Sequence, residues 1–303
     1  MTEREQLLAE LRPVAFAIAY RMLGSVSEAE DVVQEALMRV HQALDDSGHI
    51  VTPRAYIATI TTRLAINELH SARARREHYV GEWLPEPIIT DSRDDPAWHA
   101  EQAESLSLAM LVLLETLSPE QRAVLLLRDV FDYGYPEIAA IVGKGQDNVR
   151  QLATRARRHV EQRRPRYTTT REQRDALARR FFAATEQGDL AGLEALLAHD
   201  VALTGDGGGK APALARSLSG RNRVARILIN WVRLGARLPG VSLRPAEVNG
   251  GAGALILDGQ QRLLGVLSID IDGSEVTAIR SIVNPDKLSH LGPVGDLRSL
   301  MPG

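Results

Sequence analysis

The stretch from Gly134 to Arg164, GYPEIAAIVGKGQDNVRQLATRARRHVEQRR, constrains this chain most. Pro136 suits the first position of a helix, and Glu137 places a carboxylate in the first turn, where the helix dipole favours it. Ile138, Ala139, Ile141 and Val142 give that short helix an apolar face. Gly143-Lys144-Gly145 then allows a sharp reversal, and Gly145 can cap the helix that follows. In this second helix Val149, Leu152, Ala153, Ala156 and Val160 face inward. Gln146, Asn148, Arg150, Gln151, Thr154 and Arg155 are left outward, and Arg157, Arg158, Arg163, Arg164 and Arg166 continue the positive charge. The pattern predicts a helix-turn-helix. Such motifs present the N-terminal part of the second helix to the major groove, with side chains of these types on base edges and phosphates. An ordinary basic hairpin on a solvated face is the alternative.

The chain has 303 residues, 44% apolar and 25% charged, enough for two or three domains. A net charge of −3 is not that of a general nucleic-acid binder, so DNA contact requires segregated charge or a partner that carries the electrostatic load. Segregation is visible: Lys144 to Arg171 is strongly basic, whereas Glu82 to Glu104 holds seven acids against Arg93. The absence of cysteine excludes disulfides and thiolate metal sites and agrees with a reducing compartment. The N-terminus lacks the apolar core of a signal peptide, and Leu106 to Leu117 is too short and interrupted to span a bilayer. The expectation is a cytoplasmic protein with no membrane segment, metal or cofactor.

Leu7, Leu8, Leu11, Val14, Ala15, Ile18, Ala19 and Met22 mark an amphipathic helix ending at Gly24, with Pro13 predicting a kink or restart. Ser27-Glu28-Ala29-Glu30 reads as a capping box opening a helix whose stripe is Ala29, Val33, Ala36, Leu37, Val40 and Leu44. Asp31, Gln34 and Glu35 lie on another face, which composition alone reads as solvated. After a loop at Asp45–His49, Thr52-Pro53 starts a helix running to Arg76. Tyr56, Ile57, Ile60, Leu64, Ala65 and Leu69 are expected inward; Thr59, Thr62, Arg63, Asn67, His70 and Arg73 line an exposed side, followed by Arg75 and Arg76.

Leu11 to Val40, LRPVAFAIAYRMLGSVSEAEDVVQEALMRV, resembles region 2 of the extracytoplasmic-function sigma factors. The helix-turn-helix, with its lead-in LSPEQRAVLLLRDVFDYGYPEIA from Leu117, resembles their region 4. Two matches in the right order, joined by an acidic linker, are more specific than either alone. The resemblance implies a non-enzymatic subunit that brings promoter recognition to the RNA polymerase core through its β′ clamp helices and β flap. It implies that Asp31, Gln34 and Glu35 dock on the clamp helices. It places the loop from Asp45 to Pro53 where a −10 base is captured, and Thr59 to Arg73 on the −10 strand. Gln146, Asn148, Arg150, Gln151, Thr154, Arg155 and Arg158 fall on the helix that meets the −35 duplex. The sequence departs from the family pattern at Arg63, where many relatives carry asparagine, and at Gly145-Gln146-Asp147-Asn148.

Beyond a basic linker at Arg163–Thr170 the pattern changes to α+β. Helices are expected at Arg171–Gln187, after Asp189 and at Gly220–Leu234, and strands at Val201–Thr204, Val241–Val248, Ala252–Asp258, Gln261–Asp270 and Glu275–Val283. Helices followed by a curved antiparallel sheet predict an α+β cone. This order resembles the SnoaL-like domains. The segments Trp83-Leu84-Pro85-Glu86-Pro87, Asp206-Gly207-Gly208-Gly209-Lys210 and Asn284-Pro285-Asp286-Lys287-Leu288 resemble signatures of a sigma subgroup with a SnoaL-like extension. The implied fold is multidomain: two all-α sigma domains, a region 2 bundle and a region 4 helix-turn-helix, then a SnoaL-like cone. The expected boundaries are 1–80, a linker at 81–108, 109–165, 166–290 and a tail at 291–303. Members of the subgroup are regulated by their own extension; here the three segments are expected to pack together around Trp83 and set the spacing of the DNA-reading domains. Asp206, His199, Asp270 and Arg280 are the polar candidates for a cone pocket, which leaves open a small ligand there. A stand-alone ligand-responsive DNA-binding regulator, and a SnoaL-like cyclase or isomerase fused to a helical module, are the competing readings.

Overall fold

A computed structural model of the chain describes residues 2–47, 49–90, 106–162, 169–238 and 240–300, without the side chains of residues 47 and 73–75. It divides into two compact units, Met1–His78 with Met110–Arg164, and Tyr79–Ala109 with Pro165–Gly303.

The first unit is helical. In α1 (Glu3–Leu23) Thr2 and Glu5 form a capping box, and Gly24 closes the helix at φ 67°, a conformation glycine adopts without the clash a β-carbon brings. Pro13 does not divide it. It stands exposed, where water can serve the carbonyl it leaves unbonded, while Leu11, Ala15 and Ile18 hold both halves in one core. In α2 (Val26–Ser47) the cap expected of Ser27 is supplied by Ser25, whose hydroxyl accepts the Glu28 N–H at 3.2 Å. α3 (Pro53–Arg76) packs on both, burying Ile57, Ala65 and Leu69 with Val33, Ala36 and Val40. Tyr56, expected inward, is exposed: it sits one position off this stripe, so its ring turns away from the core.

Next come α4 (Leu108–Leu114), α5 (Pro119–Asp129), α6 (Tyr135–Val142) and α7 (Gln146–Glu161). Ser118 and Gln121 box the start of α5, and Gly143, at φ 68°, makes the reversal between α6 and α7. Val124, Leu127, Ile138, Ile141, Val149 and Ala153 form the shared core. Burial of each larger aliphatic side chain contributes about 1.5–3 kcal/mol. Two arginines complete the unit. Arg122 is buried and donates to the carbonyls of Met22 (2.5 Å) and Leu114 (2.9 Å) and to Glu115. Arg76, expected on an exposed side, donates to the Leu23 carbonyl and pairs with Glu115. Cations thus satisfy the last carbonyls of α1, where the helix dipole is negative.

The second unit contains α8 (Arg171–Gln187), α9 (Leu190–Leu196), β1 (Leu197–Asp206), β2 (Leu218–Ser219), α10 (Arg221–Gly235), β3 (Ser242–Val248), β4 (Gly251–Leu257), β5 (Leu263–Asp272) and β6 (Glu275–Ile282). The six strands run in the order β2-β1-β6-β5-β4-β3. The sheet is not wholly antiparallel as expected: β1 lies parallel to β6. The intervening α10 and β3–β5 provide the long crossover that parallel pairing requires. β1 is also longer than Val201–Thr204, with an irregularity before Ala202 that leaves His199 and Asp200 exposed. Phe181, Leu193, Val201, Leu203, Leu228, Ile269 and Ile279 lie in one core between helices and sheet. The linker belongs to this unit: Leu84 to Pro87 are buried, and Ile89 bridges Val248 in antiparallel fashion, extending the β3 edge.

Candidate nucleic-acid interface

The helix-turn-helix places its recognition face without strain. Val149, Ala153, Ala156 and Val160 anchor α7, while Gln146, Asn148, Arg150, Gln151, Thr154, Arg155 and Arg158 are exposed. Arg150, Gln151, Thr154 and Arg155 together line an open surface depression. The Thr154 hydroxyl donates to the Arg150 carbonyl at 2.9 Å, and the Arg150 guanidinium lies 5.7 Å from the Tyr135 ring, a cation–π contact that orients it. Arg157, which the sequence counted among the outward cations, is committed instead to Asp129. Arg163, Arg164 and Arg166 lie outside the described residues.

The α3 residues expected on one exposed side are divided. Asn67 and His70 are exposed and Thr59 is half-buried, its hydroxyl donating to the Ala55 carbonyl at 2.8 Å. Thr62, expected outward, is fully buried because α6 and α5 pack on this part of α3. Arg63 donates to the carbonyls of Ile141 and Ala140, both at 2.8 Å. A guanidinium in α3 thereby caps the C-terminal end of the first helix of the motif, as the dipole favours. The Arg73 side chain lies outside the described ones. On α2, Asp31 and Gln34 are exposed, and Glu35 forms an ion pair with Arg39 at 2.7 Å.

In the second unit the three expected segments meet. Asp206 is fully buried and its carboxylate accepts from the Leu84 N–H at 2.8 Å, from the Tyr79 hydroxyl at 2.5 Å and from Lys287 Nζ at 2.7 Å. Lys287 also donates to the Leu84 carbonyl and lies 4.1 Å from the Trp83 ring centroid and 4.9 Å from that of Tyr79. Asn284 donates to the Tyr79 oxygen at 2.8 Å and caps Pro285–Lys287 through the Asp286 N–H. Gly207, Gly208 and Gly209 form the turn; Gly208 is at φ 57°, and a β-carbon there would lie 2.2 Å from Asn284 Nδ2. Lys210 pairs with Asp286 at 2.6 Å on the surface. Pro85, Glu86 and Leu288 are buried, and the Pro87 carbonyl meets His290 Nε2 at 2.8 Å.

Sequence reasoning missed four members of this cluster. Tyr79 and His290 are single residues outside the quoted signatures. Asn249 exchanges bonds with Ile88, accepting its N–H at 2.9 Å and donating to its carbonyl at 2.8 Å, and gives Nδ2 to the Leu106 carbonyl at 2.9 Å. Thr90 bonds Glu247 through both backbone and side chain. Asn249-Gly250 was the available signal, a pair suited to a tight hairpin. The four polar candidates for a cone pocket do not converge: Asp206 is held by the linker, His199 is exposed, and Asp270 and Arg280 neutralise each other at 2.7 Å. Among the described residues no group of three or more His, Cys, Asp or Glu could hold a metal, and no helix is long and apolar enough to cross a membrane.

Comparison with known proteins decides the family. Residues 7–75 match the model for Sigma-70 region 2, and residues 107–160 that for Sigma-70, region 4. The ECF RNA polymerase sigma factor SigJ of Mycobacterium tuberculosis is 36% identical over 289 residues, covering 92% of this chain and 91% of that protein. This chain belongs to the ECF RNA polymerase sigma factors. The probable ECF sigma factor SigI of the same organism is 31% identical over 281 residues, covering 90% and 91% of the two chains. The crystal structure of M. tuberculosis SigJ superposes with a TM-score of 0.74 at 34% identity, over 93% of this chain and 98% of that one. The fold of this sigma factor is accordingly helical sigma domains followed by an α+β SnoaL-like domain.

Proposed function

We propose that this sigma factor binds the RNA polymerase core through the α2 face bearing Asp31, Gln34 and Glu35. It directs promoter-specific initiation by reading the −35 duplex with Arg150, Gln151, Thr154 and Arg155, and the −10 strand with α3 and the loop before it. Its place of action is the cytoplasm, and it performs no covalent chemistry. The observation that carries the reading is the pairing of a rigidly held, cationic and amide-bearing α7 face with a separate helical module, both in the order that sigma factors use.

The boundaries we assign are those of the sequence reading, with the linker acting as part of the C-terminal domain. That domain is the regulator. Supporting this is the clasp: residues 79–90 lie between the two sigma modules in the chain, yet their polar groups are spent on Asp206, Lys287, Asn249 and Glu247. While the clasp is closed it limits the slack between the modules. Arg63 adds a second restraint, because its Nε and one Nη donate to carbonyls of α6 and hold the guanidinium at that helix end until α6 withdraws.

The test is run-off transcription with purified core polymerase on a genomic promoter pool, using the full chain, Trp83→Ala and Lys287→Met. Promoter-specific transcripts from the full chain, at a level altered in both variants, are expected. Failure of every form to initiate removes the sigma reading; initiation unchanged in both variants removes only the clasp.

A further inference from the structure

Helix α10 carries a surface that none of these roles uses. Its inner side, Val224, Ala225, Leu228 and Ile229, is buried in the cone core. Its outer side presents Arg223, Arg226, Asn230 and Arg233, with Arg237 just past the helix end, all exposed. The spacing of 3, 4, 3 and 4 residues puts them in one line, because a helix brings every third or fourth side chain to the same face. At 1.5 Å per residue that line is about 21 Å long.

None of these four arginines has a hydrogen-bond or ion-pair partner among the described residues. Arg221 of the same helix shows the contrast, donating to the Leu197 carbonyl at 2.7 Å and to Glu275 at 3.0 Å. The surrounding chain offers no relief: between Asp206 and Glu247 there are eight Lys and Arg residues and no acid. Like charges at helical spacing repel, so the fold gains nothing from this arrangement. Charge of this density is complementary to a polyanion, and the guanidinium fork matches phosphate geometry. An acidic protein partner fits less well. Arginines anchor protein interfaces together with large aromatic and apolar side chains, and among the described residues the exposed large apolar side chains, Met38, Val51, Tyr56, Val80 and Leu190, all lie off α10.

We propose that the outer face of α10 is a sequence-independent binding surface for the phosphate backbone of duplex DNA, with Arg223, Arg226, Arg233 and Arg237 as its contacts. It rests on the reading of the chain as a promoter-binding factor and adds a third DNA contact, on the C-terminal domain, to the two that read sequence. It makes that domain an anchor as well as a regulator.

The experiment measures the affinity of the full chain for a duplex lacking any promoter, across a series of salt concentrations. The triple variant Arg223→Gln, Arg226→Gln, Arg233→Gln is compared with wild type and with the corresponding triple lysine variant. Each phosphate contact contributes about 0.9 to the slope of log K against log salt. The glutamine variant is expected to lose about 2–3 from that slope, and the lysine variant to retain it. All three positions are exposed, and a cooperative unfolding transition no lower than that of wild type verifies that the variants are folded. A slope equal to that of wild type overturns the proposal. So does weakened association with core polymerase at unchanged DNA affinity, which would mark the face as a protein contact. Wild-type initiation in the transcription assay is scored separately, so the sigma reading can fail or stand independently of this result.

Discussion

Lys287 and Asp206, 81 residues apart in the chain, form an ion pair of 2.7 Å with both side chains buried, and Leu84 of the linker bonds to both partners. Two charges out of water stabilise a fold only where their remaining hydrogen-bonding positions are filled. Here the linker fills them. The Leu84 N–H and carbonyl, the Tyr79 hydroxyl and the Trp83 ring complete a site that neither Asp206 nor Lys287 satisfies alone. The pair is thus a receptor for the linker, and its integrity and the position of the linker are one variable.

Lys287→Met keeps much of the aliphatic stem and removes the charge. It leaves the Asp206 carboxylate buried without a cation, a defect that typically costs about 3–5 kcal/mol. In calorimetry of the full chain, the transition of the C-terminal unit is expected to move to lower temperature and the helical unit to keep its own. Protease cleavage between Tyr79 and Thr90 is expected to accelerate in the same variant. Equal protection in wild type and variant would show that Lys287 does not hold the linker.

Gly208→Ala tests the turn. The backbone there is at φ 57°, and the added β-carbon would lie 2.2 Å from Asn284 Nδ2 and 3.0 Å from the Tyr79 oxygen. Left-handed backbone alone costs a side chain about 1–2 kcal/mol, and displacing Asn284 releases the Tyr79 contact as well. The same substitution at Gly273, also left-handed at φ 58° but with open space around it, carries the conformational cost alone. Gly208→Ala is expected to destabilise more than Gly273→Ala in the same unfolding assay.

Tyr79 predicts a pH dependence. Burial raises its pKa, and the bond to the Asp206 carboxylate raises it further, well above the ordinary tyrosine value. The folded state therefore holds this proton more tightly than the unfolded state. Its stabilising contribution is complete below the unfolded value of about 10 and declines as pH rises above it. Stability measured above pH 10 is expected to fall with pH, and Tyr79→Phe should flatten part of that fall. Burial raises Tyr133 as well, so ultraviolet titration should show more than one tyrosine ionising late, and Tyr79→Phe should remove one of these late groups. Full titration of every tyrosine near that value would contradict the burial.

Much of this architecture was legible because local signals agreed with the global fold. The Ser118-Pro119-Glu120-Gln121 box, the Gly143-Lys144-Gly145 reversal and the apolar period of α7 each specify an element with no help from elsewhere. What the sequence concealed depends on distant partners. Thr62 is covered because α5 and α6 dock on α3, and Tyr56 is exposed because it lies one position off the stripe facing α1 and α2; α3 has no strong apolar bias to announce either. The parallel β1–β6 pairing was hidden because a strand's sequence records its faces and not its neighbours. The meeting of Trp83, Asp206 and Lys287 followed from resemblance; nothing in their spacing encodes it.

Thr62 gives the sharpest test of the closed helical unit. Its hydroxyl is fully buried and, like that of Thr61, has no hydrogen-bond partner among the described residues. An unpartnered buried hydroxyl costs about 1–3 kcal/mol, and valine has nearly the same shape without it. Thr62→Val is therefore expected to raise the melting temperature of the helical unit, by about 2–4 °C for each kcal/mol recovered. Such a group persists at a cost in one arrangement when it serves in another, and the α3 face is where the −10 strand is proposed to lie. The same variant is expected to slow open-complex formation at a promoter, read by permanganate reactivity of unpaired thymines. Stabilisation together with impaired opening identifies the closed unit as a resting state. Destabilisation would mean that the hydroxyl already has a partner in the closed unit and that Thr62 serves the fold alone.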